Sequence, residues 1–353
     1  KGILYGACVH HDQFLHHKPS LLINDQDLML ADQLRQTTAN TSACADNVPR
    51  LTSTKNRQLS SSMAARCYCF TSRFPFFETH FSVLYNLLAN ERLHRIACES
   101  GSGSQPIKST RNQSIELLRA YYRQDVPEVG QSITFKLPGQ YQSRHCSLPP
   151  GKEEALLADW CMPCLLKILS LERVLLLFNA VLLEYQVIVV SKDLGLLSAL
   201  IMSVIPLLRP FVFQGPLIPV IPVQWEECLH SPVPTIVGVR RLPESFMHDE
   251  EQVKSTLILY IDKSPIQVKT PSNMPELPRR KHLIDHLRYP YNQLHKDKNS
   301  VLQKSPYKTS DTERATANMV LDVFRAYKGD IIATISKYAL NNANSTPFSF
   351  ENP

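Results

Sequence analysis

The run SLERVLLLFNAVLLEY from Ser170 is apolar on nearly every side over a helical length, and the β-branched QVIVV that follows has no polar alternation. The first pattern predicts a helix buried all round with Ser170 as its cap, and the second a strand covered on both faces of a parallel sheet. The rhythm continues downstream. LGLLSALIMSVIPLL, 194–208, reads as another buried helix, PLIPVI as a strand, WEECLH as a turn or short helix, and TIVGV and STLILYID as further strands. Apolar strands alternating with helices predict an α/β fold with a mostly parallel, doubly wound sheet.

Upstream, GILYGACVHHDQFLHH from Gly2 and the later CYCFTS each suit a strand. THFSVLYNLLANERL has helical spacing through Phe81, Leu84, Leu87 and Leu88, with Thr79 as N-cap. Between the two strands, 24–66 is rich in Thr, Ser, Asn and Gln and predicts a long surface insertion. ESGSGSQPIKSTRNQS has the composition of a linker; a helix around Leu117 and a strand in SITFKLPG follow. Beyond Lys263 a Pro-rich basic stretch leads into HLIDHL and ERATANMVLDVFRAY, apolar at helical spacing through Met319, Val320, Val323, Phe324 and Tyr327. The expected divisions are an upstream lobe at 1–98 carrying the insertion, a linker at 99–114, a central lobe at 115–262, and a linker with a partial helical module at 263–353. Opening on Lys1 and closing on Asn352-Pro353, the chain reads as a fragment clipped at both ends.

At 353 residues with 43% hydrophobic and 20% charged positions, the chain has material for two or three cored lobes. A formal charge of +6 is too mild and dispersed for a nucleic-acid binder and favours an anionic partner only weakly. Nine irregularly spaced cysteines point to a reducing compartment, the cytosol, rather than a disulfide framework. The stretch 194–208 would reach only about 22 Å as a helix, short of a hydrocarbon core of about 30 Å. It reads as a buried helix of a globular lobe.

The stretch DWCMPCLL, 159–166, raises a dithiol oxidoreductase reading, with Cys161 as nucleophile and Cys164 resolving. That chemistry needs Cys161 exposed at a helix tip after a strand, whereas the helix-like EEALLAD precedes it. Trp160, Cys161, Cys164, Leu165 and Ile168 fall instead on a core-facing stripe, with Pro163 interrupting that helix or starting a new one. G-x-x-x-x-G-K-[ST], G-x-S-x-G and H-E-x-x-H do not occur, which removes a P-loop GTPase and the simplest hydrolases. His282 and His286 share a helical face without a third ligand nearby and read as solvated rather than metal-binding. Cys67 and Cys69 alternate on a strand and read as core packing. Arg279, Arg280, Lys281 and His282 form a basic run suited to phosphate or anionic lipid, and more simply to solvent.

The stretch from Glu184 to Val239 resembles the centre of the DENN domain. EYQVIVVS matches the family's strand pattern, the apolar helix and Pro-Phe turn follow, and IPVIP and SPVPTIVGV match its next strands. LYGAC and SRFPFF resemble segments of the upstream DENN lobe, and ERATANMVLDVFRAYKGDI resembles the start of its helical third module. The resemblance implies a longin-like N-terminal α/β lobe, a central doubly wound α/β lobe and a helical C-terminal module. It also implies a guanine-nucleotide exchange factor that releases GDP from a Rab-family small GTPase in vesicle traffic, without metal or organic cofactor. A non-catalytic DENN-fold scaffold or effector is the alternative.

The implied partner is the GDP-bound or nucleotide-free GTPase, held by surfaces of both the upstream and central lobes, with peripheral association to vesicle or endosomal membranes. Ser191, Lys192 and Asp193 are the candidate contacts on the central lobe, because a strand ends and a helix begins there at the carboxyl edge of the sheet. Helix capping by Ser191 or Asp193 is the structural alternative. Arg73, Phe74 and Phe76 are the candidates from the upstream lobe, an arginine beside aromatics as in many interface anchors; a turn packing its aromatics inward competes with that reading. Pro210, Pro219, Pro222, Pro232, Pro234 and Gly238 are expected to fix turns and edges rather than to bind.

Overall fold

The computed structural model describes residues 4–15, 62–99, 106–139, 143–295 and 309–343. The chain divides into two compact units, 1–72 with 80–114, and 73–79 with 115–353. The insertion expected at 24–66 lies outside the described residues except for 62–66, which are strand.

In the first unit β1 (Tyr5–Leu15) pairs antiparallel with β2 (Ser62–Ser72), in a register running from Tyr5 opposite Ser72 to Leu15 opposite Ser62. Tyr5 and Ala7 are buried while Gly6 and Cys8 are exposed, the period-two signature of a sheet with one covered face. Helix α1 (Phe77–Glu99) meets β2 on the covered side, and its Leu84, Leu87 and Leu88 are buried. The Phe70 ring lies 6.1 Å from that of His80, and the Tyr68 hydroxyl donates to Glu91 at 2.8 Å. Thr79 sits inside the first turn rather than capping it. The N–H groups of Phe76 and Phe77 donate to the carbonyls of Phe74 and Pro75, so the chain already turns two residues earlier. Helix α2 (Pro106–Tyr122) occupies much of the stretch read as linker, starting on a proline whose missing N–H is an orphan at that position anyway.

The second unit opens with the antiparallel pair β3 (Ser132–Phe135) and β4 (Arg144–Ser147). There follow α3 (Lys152–Ile168), α4 (Leu171–Leu182), β5 (Gln186–Val190), α5 (Leu194–Met202), α6 (Val204–Leu208) and β6 (Leu217–Ile218). A 3₁₀ stretch at Val223–His230 precedes β7 (Ile236–Val239), α7 (Glu244–His248), α8 (Glu250–Ser255), β8 (Thr256–Tyr260) and β9 (Gln267–Lys269). Helices α9 (Arg280–His295) and α10 (Asp311–Ala343) close the unit. The sheet runs β6-β7-β5-β8-β9, parallel except for the antiparallel edge strand β9.

Register explains why the strands show no polar alternation. Val187 and Val189 align with Ile236, Leu257 and Leu259 in one core, while Ile188, Val237 and Ile258 point into another with Leu229 and Phe246. Both faces are covered, so beyond Gln186 and Thr256, which open β5 and β8, the inner strand positions carry no polar side chain. The first core also holds Leu287 of α9 and Val320 and Phe324 of α10. The helices expected as a separate module from 263 onward therefore share a core with the sheet.

Several elements depart from the periodicity reading for identifiable reasons. The run 194–208 breaks at Ser203, whose hydroxyl donates to the Leu200 carbonyl at 2.6 Å, and Pro206 falls within the first turn of α6, where it disrupts nothing. Helix α3 runs straight through Pro163; the lost backbone hydrogen bond is offset by burial of Cys161, Met162, Cys164, Leu165 and Leu166 around it. Strand β6 is only two residues long because Pro216 and Pro219 flank it without N–H groups to give. Ser170 does stand at the N-cap of α4, but its hydroxyl accepts from Arg173 and does not cap. No described helix is long and apolar enough to cross a membrane.

Candidate partner-binding surface

Chemistry at Cys161 and Cys164 is excluded by position. Both are fully buried inside α3, and the Cys161 thiol donates to the Leu157 carbonyl at 2.8 Å. Burial pushes the Cys161 thiol well above its ordinary value and that of Cys164 to about 12, so neither is a nucleophile at neutral pH. The His282 and His286 rings lie tilted with centres 4.3 Å apart on α9, and His286 Nδ1 lies 2.8 Å from the His282 carbonyl. Among the described residues no group of three His, Cys, Asp or Glu side chains is placed to hold a metal. In the basic run before them, Arg280 is paired with Glu172.

The carboxyl edge of the sheet is built by strand ends tied to one another. The N–H of Ser191 donates to the Val239 carbonyl, and that of Ile261 to Val190, which carries the pairing one step beyond β5. Asp262 then receives the Ser191 hydroxyl at 2.7 Å on one carboxylate oxygen and the Lys192 amide at 2.7 Å on the other. Asp193 donates its own N–H to Ser191 Oγ at 3.1 Å and accepts from Gly195 and Leu196, capping α5. These bonds hold Lys192 and Asp193 out into solvent in one backbone conformation. Lys263, Arg240 and Arg241 follow the neighbouring strand ends and are also exposed. Lys263 lies 4.4 Å over the Tyr260 ring and donates to Gln267.

Ser191 itself is completely buried, which corrects its reading as a direct contact. It positions the loop from beneath. Asp262, which sequence reasoning missed, is its anchor; the signal was an acid closing the apolar strand STLILYID.

Arg73, Phe74 and Phe76 belong by packing to the second unit, not to the upstream lobe to which they were assigned. Arg73 is exposed, and Phe74 and Phe76 are half-buried with ring centres 5.9 Å apart. Phe77 turns inward onto Trp160 at 4.6 Å. Phe76 and Phe77 line a cleft of about 100 Å³ together with Glu78, Asp159, Trp160 and Arg314. Arg314 crosses from α10 to Glu78 at 2.5 Å and pairs within α10 with Asp311 at 3.3 Å. Burial raises Asp159 above the usual carboxylate range, against the opposing pull of Asn318 and Arg314. Burial likewise lifts Cys146 beside it to about 11. The cleft falls well short of the roughly 300–1,000 Å³ of small-molecule sites.

The two groups of residues therefore sit at different places on one unit, the first at the end of β5 and the second at the start of α1. What they offer is exposed charge on a pinned loop and a half-exposed aromatic pair, the means of binding a surface.

Residues 63–264 match the DENN (AEX-3) domain family. The chain is 24% identical over 274 residues to MAP kinase-activating death domain protein of Caenorhabditis elegans, an alignment covering 68% of this chain and 19% of that protein. The mouse protein of the same name is 26% identical over 240 residues, covering 60% and 15%. Human DENN domain-containing protein 1A is 24% identical over 180 residues, covering 51% and 16%. The chain thus spans less than a fifth of the length of each of these relatives. With the family match extending over more than half of its residues, from β2 through β8, the chain belongs to the DENN domain family.

Proposed function

We propose that this chain is the catalytic part of a guanine-nucleotide exchange factor that releases GDP from a Rab-family small GTPase. The observation that carries the proposal is the family match across 63–264, which takes in both groups of candidate contacts. We read the first unit as the longin-like lobe, 115–262 as the central lobe and the helices beyond as the start of the third DENN module. Because such GTPases are membrane-tethered, the reading places the protein peripherally on vesicle or endosomal membranes.

Exchange of this kind needs no nucleophile. A small GTPase holding nucleotide at picomolar strength stores about 16 kcal/mol in that contact, so release must be driven by competing binding energy. The factor provides it by binding the empty GTPase better than the loaded one, and by reciprocity the weakening of nucleotide equals the strengthening of the complex. A pinned loop suits this role because a surface that does not reorganise on binding retains its full differential affinity. In this reading Lys192, Asp193 and Arg73 touch the partner, Phe74 and Phe76 supply apolar area, and Ser191 and Asp262 hold the loop.

The test is a panel of Rabs loaded with fluorescent GDP and mixed with the full-length protein. Acceleration of release for at least one Rab is expected, and it should fall by about tenfold or more in Lys192→Glu, as for an interface residue worth about 1.4 kcal/mol. Absence of acceleration across the panel contradicts exchange, and preferential capture of the triphosphate-loaded form identifies an effector instead.

A further inference from the structure

Among the described residues, three exposed thiols share one face of the β1–β2 pair. Cys67 and Cys69 share one side of β2, as their spacing predicts, but both are exposed, so the core-packing reading of them does not hold. The register sets Cys8 directly opposite Cys69. Directly opposed residues of an antiparallel pair project to the same face with Cα atoms about 4.5–5.5 Å apart, inside the range a disulfide spans. The Cys8 thiol points at Cys69 Sγ at 2.6 Å. Gly6 adds no side chain beside them; a Cβ there would already touch Cys69 Sγ at 3.6 Å. The α1 side chains that meet β2, His80 and Glu91, do so through Phe70 and Tyr68, which alternate with the cysteines and lie on the other face.

We propose that Cys8 and Cys69 are a peroxide-sensitive pair that closes to a cross-strand disulfide. In the first step Cys69, as thiolate, attacks one oxygen of hydrogen peroxide; an S–O bond forms, the O–O bond breaks, and the departing hydroxide takes up a proton as water. Cys8 then attacks the sulfenic sulfur of Cys69. The S–S bond forms, the S–O bond breaks, and the leaving hydroxide takes the Cys8 proton as a second water. Two electrons pass from the sulfur pair to peroxide. The order of attack follows from Cys8, which partial desolvation within the thiol cluster and the adjacent Cys69 and Cys67 sulfurs push up to about 12, so that it keeps its proton until a partner is oxidised. Closure ties together positions 61 residues apart in sequence. Cys67 faces His10 across the pair and is left as a free thiol.

The experiment treats the full chain with hydrogen peroxide, blocks remaining thiols with N-ethylmaleimide, and maps unreduced peptides by mass spectrometry. The expected product is a peptide pair joined through Cys8 and Cys69, two hydrogens lighter than its parts, with Cys67 carrying the label and the link lost on adding dithiothreitol. The link persists in Cys67→Ser and falls to background in Cys8→Ser and Cys69→Ser, with circular dichroism confirming that each variant is folded. Because fragmentation of the unsubstituted chain alone assigns the sulfurs, a variant that fails to fold leaves the test intact. Label on both Cys8 and Cys69 after peroxide, sulfinic acid at either, a link through Cys67, or a link between chains overturns the proposal.

Discussion

Ser191 accounts for the geometry of the candidate loop with a single hydroxyl. It donates to Asp262 and accepts the N–H of Asp193, so removing it strips a carboxylate contact from a buried hydroxyl and a cap support together. Ser191→Ala should lower stability by about 1–2 kcal/mol, read as a shift in denaturant midpoint at constant slope. Lys328 is the other residue whose environment makes a clear prediction. Its fully buried ammonium meets the Leu207 carbonyl and the Phe178 ring 5.5 Å away, with no carboxylate at either contact. Burial, aided by Arg325, lowers it from 10.5 to about 8. The unfolded chain therefore binds this proton more readily than the folded one. The resulting penalty is complete below about pH 8 and disappears as pH rises through 10.5. Lys328→Met should stabilise the protein at pH 7 by on the order of 3 kcal/mol, and its advantage over the unsubstituted chain should vanish toward pH 10.5 in parallel urea titrations. An advantage that does not change with pH would mean that packing, not charge, sets the cost.

At the scale of elements, what was legible was whatever one periodicity determined. β5 and α4 could be read because unbroken apolar runs fit only positions buried on every side. The split at Ser203 and the passage of α3 through Pro163 were not legible, because each depends on tertiary packing outweighing a local preference. The exposed sulfurs of Cys67 and Cys69 were misjudged for a related reason: alternation fixes that two residues share a face, not which face is covered. Gly238 shows the same dependence on neighbours. A Cβ there would stand 2.1 Å from the Pro219 carbonyl oxygen and 3.2 Å from Leu197 Cβ, where β7 is held between the β6 edge and α5. Gly238→Ala should destabilise by about 3 kcal/mol or more while leaving the partner preference of the folded fraction unchanged. A shift in partner preference at full stability would instead assign this strand to recognition.

On the scale of the whole molecule, the sheet and the C-terminal helices are one structure. Phe178 packs on Phe324 at 4.7 Å, and Lys167 of α3 reaches Glu313 of α10 at 2.8 Å with both side chains largely buried. Burial alone would raise Glu313, but its bonds to Lys167 and Ser310 prevail and hold it below the usual carboxylate range. The helices were visible as amphipathic segments, but their union with the sheet was not, since nothing in a periodicity names the surface it packs against. The candidate loop was found from strand order and the carboxyl-edge rule, whereas its anchor Asp262 lies 71 residues from Ser191 and became evident only through the fold. The account rests on preference for an empty partner over a loaded one. The most direct measurement is the dissociation constant of the full-length protein for one Rab prepared nucleotide-free, GDP-loaded and loaded with a non-hydrolysable GTP analogue. Tightest binding to the nucleotide-free form, by at least about a hundredfold or 2.7 kcal/mol, is the predicted result; equal affinity for all three, or tightest binding to the triphosphate form, would contradict it.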